Sequence, residues 1–175
     1  KANQISLGSS IIPTYLFDKA KVIAGFNCDF LGGWINATEN AKRYSANRVP
    51  TKENPTMSRH YQFQSYVTIS GASADYKYAM KPSQEKAVLI ALYNKIAAST
   101  GSSTLSAVKI NDLQAGVDKL AAELIANKGE SLVVSGTNNV DIQLLTNAIN
   151  AMLGNYGSTI DTAASLNFKQ GNDEA

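Results

Sequence analysis

Hydrophobic positions along the chain fall into two alternating kinds of run. Short, continuous apolar runs end in small polar turns, and between them lie longer stretches with apolar residues at steps of three and four. The first short run is "AKVIAGFNC", residues 20–28, rich in small and β-branched residues and placed after Pro13; it predicts a buried strand. The loop "DFLGGW" follows, with the glycine pair Gly32 and Gly33 at the strand's carboxyl end. "NATENAKRYSANR" predicts a short helix with Asn36 or Thr38 as its cap, and "VPTKENPT" a polar loop. "SRHYQFQSYVTIS", residues 58–70, alternates in part and is rich in Tyr, Phe and Val, so it predicts a second strand. A turn then leads to the short extended segment "DYKYAM", which Pro82 stops.

The helical periodicities occupy the second half. Ser83 is placed to cap a helix through Ala98, with Val88, Leu89, Leu92 and Ile96 on its buried face and Glu85 in the first turn, where the helix dipole favours a negative charge. "STGSSTLS", residues 99–106, reads as a flexible linker. Asn111 or Asp112 opens the next helix, Leu113, Val117, Leu120 and Leu124 form its stripe, and Gly129 ends it. "SLVVSG" predicts a strand of the parallel, doubly buried kind. A helix capped by Asn138 or Asn139 follows, with Val140, Leu144, Leu145, Ala148, Ile149 and Met152 on one face and Gly154 and Gly157 closing it. "STIDT" predicts a last short strand. Buried strands separated by long helices imply an α/β fold: a three-layer α/β/α sandwich with a mostly parallel, Rossmann-like sheet.

Composition narrows the function classes. The 175 residues suit one α/β domain with a sizeable core, and 44% hydrophobic with 17% charged residues is ordinary for a globular chain. The net charge is +2 with Lys and Arg scattered, which argues against nucleic acid as a partner. No run of eighteen apolar residues is present, so no membrane span is expected. The chain opens on Lys1 and closes on the polar "KQGNDEA"; it reads as a piece of a longer protein. A single cysteine, Cys28, excludes an intrachain disulfide, and with a single histidine, His60, no zinc-ligand spacing exists; no metal site is expected.

The candidate chemistry lies in two loops. In "SGTNNVDIQ" the residues Ser135, Gly136, Thr137 and Asn138 offer backbone N–H groups at a helix start, where a phosphate or other anion can bind. The loop lacks the remaining glycines of a dinucleotide fingerprint and the Lys of a P-loop, so a purely structural strand-to-helix turn carries more weight. In "FNCDFLGGW" the residues Asn27, Asp29 and Gly32 stand at the other strand end and could meet a polar ligand in the crevice outside the strands. Against that, Asn27 and Asp29 are the residues that brace such a turn, with Phe30, Leu31 and Trp34 packed beneath. Cys28 has no neighbouring base, and an adjacent Asp opposes its thiolate. His60 has no Ser or Cys tied to it. No catalytic residue is therefore assigned, and the chain alone is not expected to catalyse a reaction.

Three segments together carry a resemblance. "PTYLFDKAKVIAGFNCDFLGGW", "MSRHYQFQSYVTISGASADYKYAMKPS" and "ESLVVSGTNNVDIQLLTNAINAMLGNYGSTID" resemble molybdopterin oxidoreductases, over most of residues 12–162. The closer likeness is to the molybdopterin-enzyme-like half of the iron–sulfur subunit of alternative complex III, a bacterial quinol-oxidising membrane assembly. The resemblance implies that the loops Asn27–Gly33 and Ser135–Asn138 face a pterin nucleotide in the catalytic relatives. In the alternative-complex subunit it implies loss of that cofactor, with iron–sulfur clusters in another domain of the full-length protein. It further implies a periplasmic location, partner subunits that hold the protein at the membrane, and a supporting role in electron transfer from quinol. Two other readings stay open: a fragment of an active molybdopterin enzyme, and an unrelated small-ligand-binding α/β domain.

Overall fold

A computed structural model of the chain describes residues 1–53 and 55–166. In chain order the elements are α1 (Ala2–Leu7), β1 (Pro13–Tyr15), β2 (Val22–Phe26), α2 (Ala37–Ala46), β3 (Arg59–Gln64), α3 (Ile69–Ser73), β4 (Tyr76–Ala79), α4 (Glu85–Thr100), α5 (Gln114–Ala126), β5 (Ser131–Ser135), α6 (Val140–Met152) and β6 (Ile160–Ser165). Single 3-10 turns stand at Phe17–Lys19, Pro82–Gln84 and Asn111–Leu113.

The core of the fold is a four-stranded sheet in the order β4-β3-β2-β5, with every neighbouring pair parallel. Its two central strands, β2 and β3, have neighbours on both sides, and alternate residues enter different cores. Val22, Ala24 and Phe26 of β2 pack with Tyr61 and Phe63 of β3, Val133 of β5 and the buried faces of α4, α5 and α6. Ile23 joins Leu132 and Val134 of β5 on the other side, with Phe17, Phe30, Tyr44 of α2 and Ile160 of β6. β1 and β6 form an antiparallel ribbon over that second layer. The result is the α/β/α sandwich expected from the alternation of strands and helices.

Several boundaries differ from the sequence expectation, each for an identifiable physical reason. The strand expected over 58–70 stops at Gln64. β4 offers partners only from Tyr61 to Gln64, and Thr68 turns the chain into α3 by accepting the Gly71 N–H on its hydroxyl at 3.0 Å. Tyr66 and Val67, strand-prone by type, are left 72% and 80% exposed. Ser83 does not cap α4; a 3-10 turn runs through it, closed by the Gln84 side chain accepting the Lys81 N–H at 2.9 Å. Residues 102–110 carry no helix or strand, but the expected linker is pinned: the Asn94 carboxamide accepts from the Leu105 N–H (2.8 Å) and donates to its carbonyl (3.1 Å). On α6 the most buried residues are Ile142, Thr146, Asn147, Ile149 and Asn150, a face rotated from the apolar stripe. The cause is the edge of β5. Asn150 accepts from the Val133 N–H at 3.1 Å and donates to its carbonyl at 2.8 Å, so one carboxamide stands in for a missing strand.

Candidate functional site

β2 and β5 lie side by side and parallel, with Phe26 level with Ser135. The chain-order progression of the sheet reverses between them, because β3 and β4 build outward from β2 on one side and β5 is added on the other. The crevice outside the carboxyl ends of two such strands is where open α/β sheets bind ligands. Both loops singled out in the sequence, Asn27–Gly33 and Ser135–Asn138, leave from this point.

The loops touch. Asn27 adopts a left-handed conformation (φ 44°), its N–H donates to the Phe63 carbonyl at 2.8 Å, and the Gly136 N–H donates to the Phe26 carbonyl at 3.0 Å. A Cβ on Gly136 would run into the Asn27 carbonyl and lie 3.0 Å from the Cys28 Cα, so glycine is required by close approach of backbone.

The polar side chains here bind one another. Asn27 Nδ2 donates to Glu85 Oε2 at 2.8 Å, and Ser135 Oγ donates to Glu85 Oε1 at 2.9 Å. Glu85 opens α4 and is only 4% exposed. Asn27 Oδ1 accepts from the Ser65 N–H at 3.0 Å. Asp29 Oδ1 accepts from the N–H and hydroxyl of Ser70, both at 2.9 Å, and Oδ2 accepts from the Gly33 N–H at 3.1 Å. Burial pushes the Asp29 carboxyl up, but these hydrogen bonds outweigh it and hold the group below its usual range. Gly32 sits against that carboxylate, with the Ile69 Cδ1 3.1 Å from where a Cβ would stand.

The start of α6 is equally occupied. Asn139 is its cap, accepting from the Asp141 and Ile142 N–H groups at 3.0 and 3.3 Å. Gln143 Nε2 donates to the carbonyls of Ser135 (3.0 Å) and Thr137 (2.7 Å). Asp141 puts a negative charge in the first turn, paired with Lys86 at 2.8 Å. The N–H groups that would greet a phosphate are thus taken by a side chain, beside a like charge.

A cavity of about 380 Å³ remains beside Ser135, Gly136, Thr137 and Asn138. Tyr15 and Trp34, rings tilted 5.0 Å apart, form one wall, and the N-terminal segment lines another side of this open cavity. Lys1 is the one basic side chain among its described lining residues. A larger cavity of about 770 Å³ lies at the opposite, amino ends of the strands, where Lys21 and Arg59 are paired with Glu130 (2.7 Å) and Glu123 (2.5 Å).

Neither Cys28 nor His60 is arranged for chemistry. Burial, followed by the Asp29 and Glu85 charges, pushes the Cys28 thiol well above its usual range. His60 is fully buried; burial lowers its pKa from 6.5 to about 4, so the ring is neutral near pH 7. Its Nδ1 lies 3.1 Å from the Tyr44 hydroxyl and its Nε2 3.1 Å from Gln62 Oε1. Among the described residues, no group of three or more His, Cys, Asp and Glu side chains is placed to hold a metal ion. No helix among them is long and apolar enough to cross a membrane.

The structure therefore brings Asn27, Ser135 and Gly136 together at the floor of the crevice. Asp29 and Gly32 sit in a turn braced from α3, and Thr137 and Asn138 face the side cavity. Glu85 escaped the sequence reading as part of this group. Its place in a first helical turn is legible, but its two partners are 58 positions before it and 50 after it. No protein-family model matches this chain, and no curated protein matches it.

Proposed function

We propose that this chain is a non-catalytic, molybdopterin-oxidoreductase-like domain of the iron–sulfur subunit of a membrane-bound, quinol-oxidising respiratory complex. On this reading it lies in the periplasm and is held at the membrane by partner subunits. It serves as a scaffold in the path from quinol to acceptor, and the iron–sulfur clusters belong to another part of the full-length protein. The likeness of the three long segments supports the family, and the parallel α/β sheet is compatible with it. The observation that carries the non-catalytic part is the crevice between β2 and β5, whose hydrogen-bonding groups are spent on one another and whose floor holds a carboxylate. A pyrophosphate brought there meets the Glu85 carboxylate, and the nearby Lys86 is already paired with Asp141.

Two measurements test this. Tagged full-length protein recovered from membranes of its source should carry quinol-oxidising activity with it; recovery without that activity counts against the complex. The chain titrated with a pterin guanine dinucleotide should bind more weakly than about 10 μM; a Kd tighter than that, near −7 kcal/mol, would favour a fragment of an active molybdopterin enzyme. A second reading, a small-ligand-binding α/β domain, is favoured by the 380 Å³ cavity with its Tyr15–Trp34 wall. A small aromatic or heterocyclic ligand that shifts Trp34 fluorescence at micromolar concentration would support it.

A further inference from the structure

We infer that the Glu85 carboxylate is an internal ligand: it occupies an anion position built from Asn27 Nδ2, Ser135 Oγ and the start of α4, and its removal turns that position into a binding site for a small carboxylate. The inference deepens the reading of the crevice as closed, and rests on it for meaning but not for its test.

Three features define an anion position. Two donors converge from the carboxyl ends of the two strands at which the sheet order reverses, 2.8 and 2.9 Å from the two carboxylate oxygens. The group they bind begins a sixteen-residue helix, whose N-terminal dipole favours negative charge. Glu85 and Ser135 are only 4% and 2% exposed, while Asn27 is half-buried and borders solvent. Asn27 Oδ1 accepts from the Ser65 N–H, which leaves Nδ2 to donate to the carboxylate. The carboxylate arrives from within the chain, so no ordering of a free ligand opposes its binding.

Replacing Glu85 by Ala removes a fragment of the size and charge of acetate and leaves both donors unpaired. The E85A protein should melt lower than wild type. With acetate bound at a Kd of about 10 mM, about 0.1 M sodium acetate should raise its midpoint by about 3–5 °C over the same concentration of sodium chloride. Wild type and E85Q should show no acetate-specific shift, because their site is filled. An E85A protein that acetate stabilises no more than chloride does overturns the inference.

A donor–acceptor exchange serves if E85A does not fold. Asn27→Asp sets a carboxylate against Glu85 and should lower the melting midpoint by about 5–10 °C; adding Glu85→Gln returns a donor to the pair and should recover at least half of the loss. No recovery in the double variant also overturns the inference. Tight pterin binding by wild type would instead overturn the proposed function, and the acetate and exchange results would stand apart from it.

Discussion

The two faces of β3 are built from one six-residue stretch, Arg59–Gln64, yet they hold the sheet in opposite ways. On one face Tyr61 and Phe63 continue a layer of rings: Phe63 stacks on Phe26 at 5.0 Å and on Tyr78 at 4.6 Å, and Tyr61 stacks on Tyr76 at 4.5 Å. On the other face His60 and Gln62 are buried as deeply but make a chain of hydrogen bonds, and Gln64 beside them accepts from the Thr68 hydroxyl at 2.9 Å. Gln62 Nε2 donates to the Cys28 carbonyl at 3.0 Å, which turns Oε1 toward His60 and places the imidazole hydrogen on Nε2. The opposite ring nitrogen then accepts from the Tyr44 hydroxyl, whose hydrogen is shared with the Ser73 carbonyl at 3.2 Å. Gly25 completes this face, because a Cβ there would enter the space of the Gln62 carboxamide. The ring face draws its stability from area and tolerates approximate geometry; the polar face costs stability unless every donor finds its acceptor. One face therefore supplies stability and the other specifies which elements meet: β3, the Cys28 turn, α2 and the end of α3.

Three experiments press on that difference, and a fourth on the closed crevice. Phe63→Ala should cost the most, about 3–5 kcal/mol in denaturant melts, through a cavity between two stacked rings. A loss under about 1 kcal/mol would mean the rings are not packed as described.

The polar face should respond to pH. His60 titrates near 6.5 when unfolded and near 4 when folded, so between those values the unfolded chain binds the extra proton. Stability is full above about pH 6.5 and falls as the pH drops toward 4, by about 3 kcal/mol at the limit. Asp29 and Asp75 are also perturbed, but their folded values lie below the ordinary 3.8, so their loss comes at lower pH. Melts of wild type against His60→Gln between pH 7 and 4 isolate the effect; identical profiles would remove His60 from the account.

Gln62→Leu should cost about 2–3 kcal/mol by leaving the Cys28 carbonyl and the His60 Nε2–H unpaired. Combined with His60→Phe it should cost less than the two single changes summed, since the pair shares one network. Strict additivity would show that the network is not cooperative. The smallest effect tests the closed crevice. Asn139→Ala should cost about 1 kcal/mol by freeing two N–H groups of α6, with the loss partly recovered in phosphate buffer relative to chloride. No change at all would mean that α6 does not depend on its cap.

Much of this architecture is legible in the residues. Every strand of the parallel sheet lies within a run marked by apolar or ring-rich composition, and the stripes Val88-Leu89-Leu92-Ile96 and Leu113-Val117-Leu120-Leu124 are all buried. That the two crevice loops leave one carboxyl edge also follows from composition, because short apolar runs between helices form parallel strands; that β2 and β5 are neighbours on that edge was set by the strand order of the folded sheet. The cap of α6 is narrowed to Asn138 or Asn139 because a cap acts on residues two and three positions away, and the structure selects Asn139.

The sequence by itself determined many local choices, though not α1, β1, α3 or the buried face of α6: the four parallel strands, β6 and the helices α2, α4, α5 and α6, the buried stripes of α4 and α5, and that two polar turns follow two buried strands. These depend on neighbours within a few residues and on the periods 2 and 3.6. Only the tertiary structure decided that Glu85 fills the crevice, that Asn150 substitutes for a strand beside β5, and that His60, Gln62 and Tyr44 are buried together. It also decided that Tyr66 and Val67, strand formers by type, stay outside the sheet. The physical reason is the same in each case. A buried polar group is stable only beside a partner of matching geometry, and a strand only beside another edge. Apart from the His60–Gln62 contact, two positions apart along β3, those partners come from chain segments 16 to 58 positions away, at distances that no local pattern encodes.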